Sequence, residues 1–295
     1  MKKLMMMAGM ILLAASCSNE SELTVSNEKE TAPVRVRVAD FSIAMGDISS
    51  KTRAAEDAAG YETAKAITLA FYSGSTEVYK ATQYKADATT YTTFGEFSCN
   101  LPVGDYTMVA IAYNHFTGDV LSLTSPTVAA YTTERPRETF AKTQNVTISS
   151  ATPLELSVTL NRINAQLYIV STDGRPAEAT KIKTTYNKCS KGFNPTTGLA
   201  TDDGGFWVTN APSTSAGATI NVFSCAFLTT DEETVDITIQ ALDANDNVLV
   251  TKVVPNVPLQ RNRKTTLTGA VYSGGSALST FKLETSWLPG NSINF

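Results

Sequence analysis

One histidine and four cysteines in 295 residues leave little with which to build a metal centre or a histidine-based catalytic pair. His115 stands beside Asn114 and Phe116 with no second histidine to share a ligand or a proton. Charge is scarce as well: Asp, Glu, Lys and Arg make up 18% of the chain, the net charge is −4, and no basic cluster appears beyond Arg261-Asn262-Arg263-Lys264. A phosphate backbone needs a basic stripe, so the composition argues against nucleic acid as a partner. No Gly-x-Ser-x-Gly, His-Glu-x-x-His or phosphate-cradling loop occurs, which leaves no catalytic residue, metal ligand set or cofactor to assign. Asp243-Ala244-Asn245-Asp246-Asn247 spaces its oxygens as a calcium loop begins, but it lacks the following glycine and the late glutamate and reads as a hairpin turn.

Long apolar runs are missing too. The stretch from Leu4 to Ala15 is twelve residues, and a helix needs about 20 to cross a hydrocarbon core of ~30 Å. It follows Met1-Lys2-Lys3 and precedes Ser16-Cys17, which is the order of a lipoprotein signal: positive start, apolar centre, cysteine behind small residues. Residues 1–16 are therefore expected to be removed and Cys17 to carry lipid that holds the precursor on a membrane. Residues 18–33, rich in Ser, Asn and Glu, read as a polar tether. Cys99, Cys189 and Cys225 remain, an odd number that permits at most one disulfide and leaves the pairing open.

No stretch keeps an apolar face at 3.6-residue spacing, so helix is expected to be confined to a turn or two over 56–65. The chain alternates with period two instead, punctuated by Gly, Pro, Asn and Asp, which predicts half-buried strands. Strands are expected over 65–73, 78–85, 90–101, 105–113, 143–149, 154–161 and 165–171. A further series covers 181–186, 206–209, 219–228, 234–242, 248–254, 264–272 and 280–287. Pro153 disfavours a continuous strand, which puts a domain boundary near 151 and divides the chain into β-sandwich domains at 54–151 and 152–295. Ahead of them, Val34, Val36 and Val38 alternate, and Phe41, Ile43 and Met45 continue in the opposite phase. This predicts a strand with a bulge near Asp40. Residues 46–55 then turn small, polar and basic, the composition of an exposed loop open to proteases.

Several short segments, taken in order, carry a resemblance. The signal, the N-terminal strand, a loop ending in Thr52-Arg53-Ala54, then Leu101-Pro102-Val103-Gly104-Asp105-Tyr106 and Ala110-Ile111-Ala112-Tyr113-Asn114, resemble the fimbrillins, subunits of type V pili. Leu160-Asn161-Arg162-Ile163-Asn164-Ala165-Gln166-Leu167 is similar to the opening strand of their C-terminal domain. Val257-Pro258-Leu259-Gln260-Arg261-Asn262-Arg263-Lys264-Thr265 with Gly269 is similar to their penultimate region. The similarity covers nearly the whole chain.

This resemblance implies an all-β chain of two tandem transthyretin-like β-sandwiches, exported as a lipoprotein to the outer membrane and cell surface. It implies a cut by an arginine-specific maturation protease between Arg53 and Ala54, which makes residues 17–53 a propeptide. Loss of the propeptide strand would leave unpaired backbone and exposed core, and a strand from another pilin subunit would fill the groove. The tail 279–295 is the candidate donor, with Phe281, Leu283 and Trp287 on one face and Ile293 and Phe295 near its end; the alternative is a tail that closes its own domain. The implied function is structural, a pilus subunit supporting adhesion to a host or bacterial surface ligand, with no enzymatic activity. Two other readings stand: an uncleaved anchor or tip protein, and a surface lipoprotein that binds glycan through Tyr72, Tyr79, Tyr84, Phe206 and Trp207. Trp207 follows Asp202-Asp203-Gly204-Gly205-Phe206, so it reads either as a loop-tip aromatic or as a core residue at a strand start.

Overall fold

The computed structural model describes residues 30–42, 64–116, 118, 120–133, 135–273 and 282–285. Among these the fold is all-β, with nineteen strands and no helix. The first half supplies β1 (Thr31–Ser42), β2 (Ala66–Ser73), β3 (Thr76–Tyr84), β4 (Glu96–Pro102), β5 (Gly104–Tyr113), the hairpin β6 (Leu121–Ser125) and β7 (Val128–Tyr131), β8 (Thr139–Ile148) and β9 (Leu154–Arg162). Seven of them form one sheet in the order β3-β2-β5-β8-β9-β1-β4. β8 and β9 share only the pairs Phe140↔Arg162 and Ala141↔Asn161, so the sheet turns a corner there. The two leaves face each other across a single core that includes Val36, Phe41, Leu69, Met108, Phe140 and Leu160.

The second half supplies β10 (Ala165–Ser171), β11 (Lys181–Tyr186), β12 (Gly192–Asn194), β13 (Leu199–Ala200), β14 (Phe206–Asn210), β15 (Asn221–Ala226), β16 (Glu232–Leu242), β17 (Val248–Gln260), β18 (Lys264–Gly269) and β19 (Lys282–Thr285). Sheets β15-β10-β18-β19 and β14-β11-β16-β17 enclose a second core, with Leu167, Ile169, Val208, Ile237, Ile239 and Leu267 among its members. Alternation is clear here: Val235, Ile237, Ile239 and Ala241 of β16 are buried and the residues between them are not.

A fourth sheet, β13-β12-β7-β6, ties the halves together through Gly192↔Ala130 and Phe193↔Ala129. Phe193 and Phe227, ring centroids 4.4 Å apart, join Tyr131 in a cluster on the outer face of β2 and β5. β2 is thus covered on both faces, and every residue from Ala66 to Tyr72 is buried. Polar groups seal the same joint. The Arg162 guanidinium lies over the Phe140 ring at 5.0 Å, pairs with Glu138 at 2.5 Å and donates to Asn262 Oδ1 at 3.0 Å. Asn164 Oδ1 accepts from the Thr139 amide, and the Asn164 carbonyl accepts from the Asn262 amide.

Several expectations need correction. Leu154–Arg162 belongs to the first sheet, between β8 and β1, so the chain passes from one sandwich to the other at Ile163-Asn164 and not near 151. Residues 90–95 are turn, and β4 begins at Glu96. The strands β6, β7, β12 and β13 have no counterpart among the expected ones. β17 runs past its expected end at 254, through Pro255, with a register shift where Asn256 adopts φ 54° and its amide donates to Asp236 Oδ1; the turn before β18 is confined to 261–263. The Asp243 loop, by contrast, is the expected hairpin turn, its Oδ1 accepting from the Asn245 and Asn247 amides. His115 packs between Tyr84, tilted at 4.7 Å, and Tyr113, edge-on at 6.0 Å. Cys99, Cys189 and Cys225 are free thiols.

Candidate functional site

β1 carries the first candidate site. Its alternation, Ala32, Val34, Val36, Val38, sends apolar side chains into the core, and all four are buried. On one side it pairs antiparallel with β4 from Thr31↔Pro102 to Arg37↔Glu96; on the other it pairs parallel with β9 from Val34↔Leu154 to Ser42↔Asn161. The register to β9 slips between Val38 and Asp40, one residue from where the phase change places a bulge, and Phe41 re-enters the core to meet Phe140 at 5.1 Å. The outward residues Arg35 and Arg37 approach Glu155 and Glu96 at 3.8 Å, exposed pairs worth about 0–1 kcal/mol each. Burial of Val34, Val36, Val38 and Phe41 outweighs them, contributing about 1.5–3 kcal/mol for each side chain.

Among the described residues β4 has only β1 beside it in the sheet, and a side chain takes the place of a further strand. Buried Gln83 of β3 donates from Nε2 to the Glu96 carbonyl at 2.7 Å and accepts from the Gly95 amide at 2.8 Å. This amide clamp holds β4 to β3 on the side away from β1, so β4 keeps an attachment independent of β1.

The root of the C-terminal tail is the second candidate site. The Asp173 carboxylate accepts from the amides of Val271, Tyr272 and Ser273 and from the Ser273 hydroxyl, all within 2.7–2.9 Å. Lys252, an inward-pointing charge on β17, donates to the Ser273 carbonyl at 2.8 Å. Partial burial raises the pKa of Asp173, and the hydrogen bonds from Val271, Ser273 and Tyr272 outweigh it, so the carboxyl lies below its usual range. A depressed folded pKa means that this stabilisation is present above the unfolded value of about 3.9 and is lost as the pH falls through the folded value. Asp173→Ala should lower the stability of the second sandwich by about 2–3 kcal/mol at pH 7, with the gap to wild type closing toward pH 3. Urea titrations at the two pH values measure this; an equal gap at both assigns the loss to something other than the charge.

Most of the residues singled out in the sequence lie outside the described ones: Cys17, Arg53, Ala54, Phe281, Trp287, Ile293 and Phe295. Leu283 is on β19, paired with Leu267 of β18 at the edge of its own sheet. The surface aromatics separate sharply. Tyr72 and Phe206 are buried, Phe206 stacked on Tyr186 at 4.8 Å, and Tyr79 packs against the first core. Tyr84 and Trp207 are exposed, at 38% and 44%. Arg135, in the loop before β8, donates to the Thr209 carbonyl and the Asn210 side chain on β14, and Pro136 is buried. Sequence reasoning missed Gln83, Asp173 and Lys252. Their roles depend on strands far away in the chain, and only the Asp173-Gly174 turn leaves a local trace.

No curated protein matches the sequence. Among solved structures, the chain is similar to the fimbrial anchor protein Mfa2 from Porphyromonas gingivalis, at 9% identity and a TM-score of 0.51, over 87% of this chain and 98% of that one. It is similar to an adhesin candidate from Bacteroides ovatus at 11% identity and a TM-score of 0.51, over 88% of this chain and 96% of that one. At such identities the likeness is one of fold. A model described as a family of unknown function, DUF6562, matches residues 29–279, and the chain belongs to that family.

Proposed function

We propose that this protein is a subunit of a cell-surface fimbrium that joins its neighbours by strand exchange and supports adhesion. The observation that carries the reading is β1, a strand that fills the first core with five buried apolar side chains between two strands distant from it in sequence. The precursor reaches the outer membrane as a lipoprotein through Cys17, an arginine-specific protease cuts between Arg53 and Ala54, and a neighbour's strand replaces β1. The donor is the tail from 279 to 295, once its strand β19 leaves β18. Likeness of fold to a fimbrial anchor protein supports the assignment to a fimbrium.

Pairing of β19 with β18 favours a second reading, a subunit that keeps its tail and β1 in place and serves as anchor or tip. The N-terminal residue of protein recovered from the cell surface separates the two. Ala54 is the expected result for an exchanging subunit, and a lipidated Cys17 for an uncleaved anchor.

Arg53→Ala should abolish maturation, while Arg135→Ala and Arg137→Ala leave it intact. Arg135 is bonded to β14 and followed by a buried proline, and the Arg137 guanidinium lies 4.4 Å from the Phe116 ring centroid. Digestion with an arginine-specific protease, followed by N-terminal sequencing, checks this, and a first cut after Arg135 would sink the processing model.

A further inference from the structure

The outer face of sheet β14-β11-β16-β17 offers a surface that the strand-exchange scheme does not use. Phe206 and Val208 of β14 point into the core, which fixes Trp207 between them on the outside. The turn before it is equally constrained. Gly205 has φ +70°, and a Cβ there would come within 2.4 Å of the Tyr186 carbonyl oxygen. At the far end, Arg135 caps β14. Trp207 is therefore held on an ordered strand while 44% of it faces water. The exposed part of so large an apolar side chain adds no burial energy to the fold.

Register extends the surface across four strands. Trp207, Thr185, Thr238 and Val253 lie in one row, and Thr209, Lys183, Gln240 and Thr251 in the next. The face is lined by hydroxyls, an amide and the exposed Val253, and carries one ionic group within these rows, the Lys183 ammonium, which lies over the Trp207 ring 5.0 Å from its centroid. The neighbouring carboxylates are engaged: Asp236 by Asn187 and the Asn256 amide, and Asp246 by Lys181 at 2.8 Å.

We propose that Trp207 and Lys183 form a docking platform for an acidic polysaccharide. A pyranose ring packs on the exposed part of the indole, beside the Lys183 ammonium that meets its carboxylate, and the threonines and Gln240 take its hydroxyls. The stacking supplies apolar contact in a ligand that is otherwise polar, and the lysine gives the preference for a uronate over a neutral sugar. This assignment rests on the adhesion part of the function proposed above and is independent of strand exchange.

Affinity electrophoresis of the full chain in gels containing polygalacturonate, with dextran as the neutral arm, tests it. Polygalacturonate should retard the wild type, Trp207→Ala should weaken binding by about tenfold or more, and Lys183→Gln should weaken it several-fold. Both side chains are on the surface, and unchanged thermal melts will show that the variants fold. No retardation by polygalacturonate, or unaltered binding by Trp207→Ala, overturns the platform. Equal retardation by dextran, or indifference to Lys183→Gln, overturns the acidic class. Because the assay reads monomeric protein, its outcome and that of any polymerisation assay are separable.

Discussion

A chain lacking residues 18–53 should fail to fold its first sandwich alone and should recover when a peptide of residues 30–42 is supplied during refolding. Four large side chains of β1 leave the core in this deletion, at about 1.5–3 kcal/mol each, together with hydrogen bonds to two strands at about 1 kcal/mol net apiece. The loss, on the order of 10 kcal/mol, is comparable with the whole stability of a typical domain, about 5–15 kcal/mol. The same peptide with Val36→Asp should not rescue, since it would bury an unpaired carboxylate where Val36 is now enclosed. Circular dichroism melts and size-exclusion chromatography report the result. A soluble monomer with a cooperative melt and no need of peptide would remove the physical basis for strand exchange.

The second large effect is expected at the joint. Arg162→Ala should cost about 3–5 kcal/mol, because it strands the Glu138 carboxylate in a place where the two side chains are 2% and 13% exposed. It also removes the donor to Asn262 and the cation over Phe140. Since these groups connect β8 and β9 to the corner before β18, the loss should split a single unfolding transition into two. The double variant Arg162→Met with Glu138→Leu should recover most of the stability, because replacing both charges leaves neither one unpaired. Calorimetry of the two variants decides it: a single-variant loss below about 1 kcal/mol would mean that water reaches the pair and that the joint is held by its other contacts, the bridging sheet and the Phe193–Phe227 cluster among them.

What could be read from the sequence tracks how local each signal is. Strands that pair with a sequence neighbour and show one face to water, such as β16 and the start of β17, carry their alternation plainly. The slip in β1 was legible because Val38 and Phe41 are both buried at odd spacing. β2 illustrates the reverse. Covered on both faces, it shows no alternation, so nothing in the sequence says that Tyr72 is buried while Tyr84 is not. Pro153 looked like a domain boundary because the partner that claims the next strand, β1, lies more than a hundred residues earlier in a parallel pairing that leaves no turn between them. The pieces of the bridging sheet are two to five residues long and were below the length at which period two can be seen. Trp207 was open to either reading, since Phe206 beside it is an equally good core residue, and only the register with Tyr186 determines which of the two turns inward.

The slip in β1 also bears on the direction that the proposed exchange would take. Between Val38 and Phe41 the strand spends two residues opposite the single Thr159, while β9 itself alternates without interruption through Val158 and Leu160. An occupant with unbroken alternation, such as 281–287, could follow β9 as one continuous ladder and needs no extra residue to reach the same depth. In the proposed scheme β1 would then be an imperfect tenant of its own groove, well enough fitted to let the precursor fold, yet open to replacement by a better-matched competitor. Once the covalent tie at Arg53 is gone, that difference in fit would make exchange run downhill with no external energy source, and the returning peptide a poor rival for the strand that displaced it.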